Sequence, residues 1–203
     1  MLQKPILKMH GHMSYPSKIQ SESFKWICKA GEVWILHGIN GSGKTTLLES
    51  IALLKDFFVG SIDYSIPTDQ IGIMTQCSKT DIYFQVEDLL RCYNSSTVQF
   101  NKIINQLHIK PLLKKSYNEL SYGQMRLIHL VSVILSGTQF LLLDEPFAGI
   151  DAVTEKYMII HLNQYCQEGG AVLITSHVNY ILGLEAHGII HLQGKHVNVH
   201  TTV

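Results

Sequence analysis

The sequence predicts an α/β fold built on a mostly parallel core sheet with flanking helices. Three observations carry that expectation. Short, continuously apolar strands alternate with helix-length segments, the pattern of a parallel sheet covered on both faces. A glycine-rich turn, "GINGSGKT" (38–45), stands directly between an apolar strand and a helix. A third segment, "FLLLDEP" (140–146), is an apolar strand that delivers two carboxylates at its end and is stopped by proline.

The elements follow in chain order. "GEVWILHG" (31–38) is a short apolar strand bounded by glycines, and "TTLLESIALL" (45–54) has helical spacing. "SIDYSI" (61–66) and "IGIMTQ" (71–76) read as two further short strands. From about Val86 to Leu113 the pattern is helical, with a break at Pro111. "QMRLIHLVSVILS" (124–136) is a mostly apolar helix, and "QFLLLDEP" (139–146) a fully buried strand. A helix from Ala152 to about Gln167, a Gly-Gly turn, the strand "AVLITSH" (171–177) and a hairpin around "LQGK" (192–195) complete the chain. Its 203 residues suffice for one domain with a sizeable core.

Composition excludes several function classes. Apolar residues make up 46% and charged residues 16%, with a formal net charge of zero, so no nucleic-acid surface is held by bulk positive charge. The same balance is foreign to a disordered chain. Cys28, Cys77, Cys92 and Cys166 are scattered without a C-x-x-C pair and read as thiols of a reducing compartment. No secretory pattern opens the sequence, and the longest apolar run, Leu127 to Leu135, is too short to cross a bilayer. A soluble protein whose membrane role comes through a partner is the expectation. His187, His191, His196 and His200 are closely spaced, but "GIIHLQGKHVNVH" alternates like a hairpin, so no metal is assigned to them.

The chemistry begins at the glycine-rich turn, which fits G-x-x-x-x-G-K-[ST]. Gly38, Gly41 and Gly43 let backbone N–H groups form a nest around phosphates. Lys44 reaches the β/γ-phosphates and the Thr45 hydroxyl is a Mg²⁺ ligand. At the end of the 140–146 strand, Asp144 would hold Mg²⁺ and Glu145 could accept a proton from an attacking water. A further run, "NELSYGQ" (118–124), opens a helix with Ser121 as N-cap, a ready-made anion site, and Gly123 permits close backbone approach.

Together these pieces resemble the nucleotide-binding domain of ATP-binding cassette (ABC) proteins, over nearly the whole chain from about Leu7 to Val199. "LSYGQ" (120–124) is similar to the family signature L-S-G-G-Q, which separates the family from other phosphate-loop ATPases. Gln76 stands at the Q-loop, Asp151 of "AGID" at the D-loop, His177 of "ITSH" at the switch histidine, and Tyr15 at the adenine-stacking aromatic position. The resemblance implies one ATP-binding domain over residues 1–203. It also implies a small antiparallel β part and a trimmed helical subdomain at approximately 80–136.

It further implies an ATP-binding set of Tyr15, Gly38, Asn40, Gly41, Ser42, Gly43, Lys44, Thr45 and Thr46. Thr45, Gln76 and Asp144 would hold Mg²⁺, and Glu145, His177 and Gln76 would be catalytic. In the family two such domains enclose two ATP molecules, so Ser121, Gly123 and Gln124 would cover the nucleotide bound by a second copy, a homodimer. Tyr122 replaces the first glycine of the signature pair, and its side chain must point away from the nucleotide. Arg126, Leu127 and Ser132 make the following helix less basic and more apolar than the family pattern, a stripe that reads as core. Little sequence follows the final hairpin, so no regulatory domain is expected after it.

The implied function is the ATP-hydrolysing subunit of an ABC transporter, cytoplasmic and peripheral on the inner face of the cell membrane, working through separate integral membrane subunits. The "DEPFAGID…EGGAVLITSH" stretch looks like the small exporter subunits of the cytochrome c maturation type. The competing readings are a non-transport ABC ATPase acting on nucleic acid or ribosomes, and a nucleotide-binding module without turnover. Coiled-coil insertions and basic linkers are lacking for the first. Intact Lys44, Asp144, Glu145 and His177 speak against the second.

Overall fold

A computed structural model describes residues 4–15, 20–75, 83–93 and 97–201. Six strands form the central sheet: β3 (Val33–Gly38), β5 (Ile71–Met74), β6 (Phe140–Leu143), β7 (Ala171–Ser176), β8 (Gly188–Gln193) and β9 (His196–Thr201). They lie in the order β5-β6-β7-β3-β8-β9. All neighbours are parallel except the hairpin pair β8–β9. A separate antiparallel sheet of β1 (Pro5–Met13), β2 (Phe24–Lys29) and β4 (Phe58–Tyr64) runs in the order β2-β1-β4. The mainly parallel α/β architecture matches the fold expected from the sequence.

Continuous apolarity in the central strands follows from burial on both faces, because successive side chains point opposite ways. Val33 and Ile35 of β3, Leu141 and Leu143 of β6, and Val172 and Ile174 of β7 face one core. That core is completed by α2 (Val86–Tyr93), α3 (Thr97–Gln106), α4 (Tyr122–Leu135) and α5 (Ala152–Gln167). The intervening Trp34 and Leu36, Phe140 and Leu142, and Ala171 and Leu173 face a second core with β1, β2 and α1 (Lys44–Ile51). There Trp26 meets Trp34 edge-on at 5.7 Å between ring centroids. The apolar stripe of α4 is core, as its composition implies: Met125, Leu127, Ile128, Leu130 and Val131 are all buried. No helix among the described residues is long and apolar enough to cross a membrane.

Two polar contacts fix the start of β3. Glu32 accepts from the Trp34 indole N–H and from the Lys29 backbone N–H, each at 2.9 Å, which closes the β2–β3 connection. The parallel strands then carry their C-terminal ends to one edge of the sheet. That edge is where ligands bind in open α/β folds.

Candidate functional site

Each element delivers its polar residues at that edge. β3 ends at Gly38, the chain turns through 39–43, and α1 begins at Lys44 with Gly43 in the left-handed region (φ 96°) as its N-terminal flank. The Lys44 ammonium, buried with its residue, donates to the carbonyl oxygens of Gly38 at 2.8 Å and Ile39 at 3.2 Å. It is thereby folded over its own loop. The Ser42 hydroxyl is buried without a hydrogen-bond partner among the described residues. An orphaned polar group in a nest of glycines is what an anion-binding loop leaves for its ligand.

β6 places Asp144 one residue beyond its end, where the carboxylate takes two hydroxyl donors. Thr45 donates to Oδ2 and Thr175 to Oδ1, both at 2.7 Å. Thr175 also receives the Glu145 backbone N–H at 2.7 Å, so one hydroxyl ties both acidic residues to β7. Glu145 adopts a left-handed conformation (φ 47°), which a non-glycine residue holds only when its surroundings enforce it. Its Oε1 lies 2.5 Å from His177 Nε2, one residue past β7. The sequence-selected Lys44, Thr45, Asp144, Glu145 and His177 thus come together at one sheet edge. Asn40 and Gly41 are exposed on the loop, and Thr46 lies half-buried in the first turn of α1.

Tyr15 also reaches this loop. Its hydroxyl donates to the Ser42 carbonyl at 3.3 Å, and its ring covers Gly43, where a β-carbon would collide with it. Burial raises the Tyr15 pKa above the ordinary phenol value. Gln76 lies outside the described residues.

The signature residues form a second group. Ser121 caps α4, its hydroxyl accepting from the Gln124 N–H at 3.3 Å while the Gln124 side chain accepts from the Ser121 N–H at 3.2 Å. This reciprocal box stabilises the helix start by roughly 1 kcal/mol. Gly123 abuts Gly149: a β-carbon at 123 would overlap the Gly149 carbonyl oxygen. The missing side chain therefore serves contact with the turn that follows Glu145. Tyr122 lies beside the same turn, half-exposed, and its hydroxyl accepts from Arg126 at 3.4 Å. Asp151 caps α5 through the N–H groups of Val153 and Thr154 and the Thr154 hydroxyl. The Thr154 backbone bond, then its hydroxyl, hold the Asp151 carboxyl below the usual range.

Sequence reasoning passed over Arg126 as a site residue. It is 1% exposed inside an otherwise apolar helix, and Nη2 donates to the Asp144 carbonyl at 2.7 Å and to the Glu145 carbonyl. The available signal was a lone guanidinium at a position the helix buries, because such a charge requires acceptors. His187, His191, His196 and His200 take different partners: His187 accepts the Val33 N–H, His196 pairs with Glu22, and the His191 ring is edge-on to that of His200 at 5.7 Å. Among the described residues no three His, Cys, Asp or Glu side chains gather as metal ligands.

Comparison with known proteins places this geometry. Residues 22–148 match the family model described as "ABC transporter". The chain is 30% identical over 168 residues to the chelated iron transport system membrane protein YfeB of Yersinia pestis, covering 72% of this chain and 57% of that protein. It is 31% identical over 149 residues to the cytochrome c biogenesis ATP-binding export protein CcmA of Novosphingobium aromaticivorans, covering 73% and 76%. A solved ATP-binding subunit of an ABC transporter superposes with a TM-score of 0.82 at 18% identity over 97% of this chain and 90% of that one.

Proposed function

We infer that this chain, which belongs to the ABC transporter family, is the ATP-binding and hydrolysing subunit of a transporter whose membrane path lies in separate subunits. The observation that carries the reading is the hydroxyl–carboxylate–imidazole chain from Thr45 through Asp144, Thr175 and Glu145 to His177. Relatives named for export and for metal transport support the coupling to transport. Within that class, the resemblance to CcmA proteins favours a small export subunit. Residues 1–203 make one ATP-binding domain, with the helices between about 80 and 136 as its helical part.

The glycine-rich loop and Lys44 bind the phosphates, Asn40, Ser42 and Thr46 complete the cradle, and Tyr15 stacks on the adenine. Thr45 and Asp144, already in contact, would hold Mg²⁺ together with Gln76. When bound, the ion neutralises charge on the phosphate oxygens. Glu145 removes a proton from water as its oxygen bonds to the γ-phosphorus and the bond from phosphorus to the bridging oxygen breaks, giving ADP and phosphate. His177 orients Glu145 and holds the γ-phosphate. Ser121, Gly123 and Gln124 cover the nucleotide of a second copy in a homodimer, with Asp151 beside the seam, on the inner face of the cell membrane.

Glu145→Gln tests the reading. It is expected to retain ATP affinity and to form an ATP-dependent dimer in sedimentation, while turnover falls by on the order of 100-fold or more. A rate within a few-fold of wild type refutes the assignment. Co-purification with an integral membrane protein tests the transport coupling.

A further inference from the structure

His37 belongs to none of the motifs above. It is the fifth residue of β3, directly before Gly38, and its ring joins two other strands. Nε2 lies 3.1 Å from the main-chain carbonyl oxygen of His177, and Nδ1 lies 3.2 Å from Nδ1 of His191 on β8. The parallel register makes this possible, since His37 pairs with Ser176 on one side and with His191 on the other. The His191 ring is edge-on to His37 at 5.1 Å and to His200 of β9 at 5.7 Å.

Hydrogen-bond chemistry fixes the direction of this chain. A carbonyl oxygen only accepts, so His37 Nε2 carries the hydrogen. In the neutral ring Nδ1 then holds the lone pair, and His191 Nδ1–H must donate to it. His191 thereby selects the tautomer with which His37 grips His177. The grip acts where the strand ladder has ended: Ser176 is the last β7 residue paired with β3, and His177 follows it. The next N–H, that of Val178, is likewise held by a side chain, the Ser176 hydroxyl at 3.0 Å. Main-chain groups at a strand end need such partners to stay in one place.

We propose that His37, oriented by His191, is a positioning residue for recognition of the terminal phosphate: it anchors the backbone of His177 so that the imidazole of that residue is aimed at the γ-phosphate. The inference rests on the ATPase reading above and adds two residues to it. Its consequence is specific. A misplaced His177 weakens binding of a triphosphate and leaves a diphosphate, which has no γ-phosphate, untouched.

The test is equilibrium titration of the full chain with Mg²⁺ and either ADP or the non-hydrolysable β,γ-imido analogue of ATP. His37→Leu is expected to weaken the analogue about tenfold, the value of one lost hydrogen bond to a phosphate-facing group, with ADP affinity unchanged. His37→Gln, whose amide can donate to the same carbonyl, restores most of the loss. His191→Leu, further from the nucleotide, gives a smaller loss of the same sign. Equal weakening of both nucleotides, or no weakening of the analogue, overturns the proposal. A wild-type protein that binds neither nucleotide overturns the ATPase reading and this one with it, whereas normal wild-type binding with an unmoved His37→Leu overturns this one alone.

Discussion

Arg126 donates from Nη2 to the main-chain oxygen of Asp144 at 2.7 Å, a buried charge held against the backbone of the strand end that carries both acidic residues. The same nitrogen reaches the Glu145 carbonyl, and Glu145 sits in the left-handed region. The guanidinium thus holds the turn that displays the Glu145 carboxylate. Arg126→Met removes a donor from two carbonyls and is expected to cost about 2–4 kcal/mol in urea unfolding. ATP turnover should fall further than the folded fraction, because Glu145 loses its setting. Arg126→Lys, able to donate as a point charge without the planar fork, should recover part of both.

Gly123 is fixed by its neighbour and not by its dihedral angle. No positive φ is found there, yet a β-carbon would overlap the carbonyl of Gly149, a backbone atom that cannot swing aside. Gly123→Ala should therefore destabilise the fold by about 1–3 kcal/mol through overpacking and displace the first turn of α4. Gly137→Ala is the contrast: φ is 68° with open space around the added atom, so only the left-handed strain of about 1–2 kcal/mol remains. Guanidinium melts and nucleotide titrations of both variants check this. Gly123→Ala alone should impair ATP-driven pairing.

The sequence revealed what local chemistry determines. β3, β6 and β7 are buried on both faces and read as unbroken apolar runs, and α5 falls where the sequence places a helix before the Gly169-Gly170 turn. Lys44, Thr45, Asp144 and Glu145 were legible from spacing and strand ends, and His177 only through the resemblance of "ITSH" to the family motif. β1 and β2 went unread as individual strands. β1 begins irregularly, with two successive buried residues, Ile6 and Leu7, and carries Gly11, although β2 alternates strictly between buried and exposed residues. The helix after the phosphate loop stops at Ile51 and not at Leu54, since Ala52 caps it and Leu53 turns to φ 57°. Arg126 was invisible because its acceptors lie 18 and 19 residues away on another element.

Tyr15 offers a ring and a hydroxyl, and the two can be separated. The ring lies over Gly43, while the hydroxyl only reaches the Ser42 carbonyl at 3.3 Å, a long bond. Tyr15→Phe is expected to bind ATP within about twofold of wild type, because the stacking surface persists. Tyr15→Ala should weaken ATP and GTP alike by roughly fivefold, since stacking carries about 1 kcal/mol and does not read the base edge. A fluorescent-nucleotide titration distinguishes the two outcomes.

Acid should loosen the fold in two separate windows. Burial lowers the pKa of His129, with Arg126 adding to it. Burial also lowers that of His161, with Lys102, and that of His191, with His37 and His200. Their unfolded value is 6.5, so below that pH the unfolded chain binds protons that the folded chain refuses. Stability is fully present above the unfolded value and is lost as pH falls from there toward the lowered folded values. Asp151, held down first by the Thr154 N–H, acts in the same direction but only as pH falls below about 3.8. Thermal unfolding from pH 8 to pH 5 should therefore show a falling midpoint below pH 6.5, above the window in which Asp151 acts. His129→Gln, which cannot take up the proton, should flatten that slope, and an unchanged slope would place the acid sensitivity elsewhere.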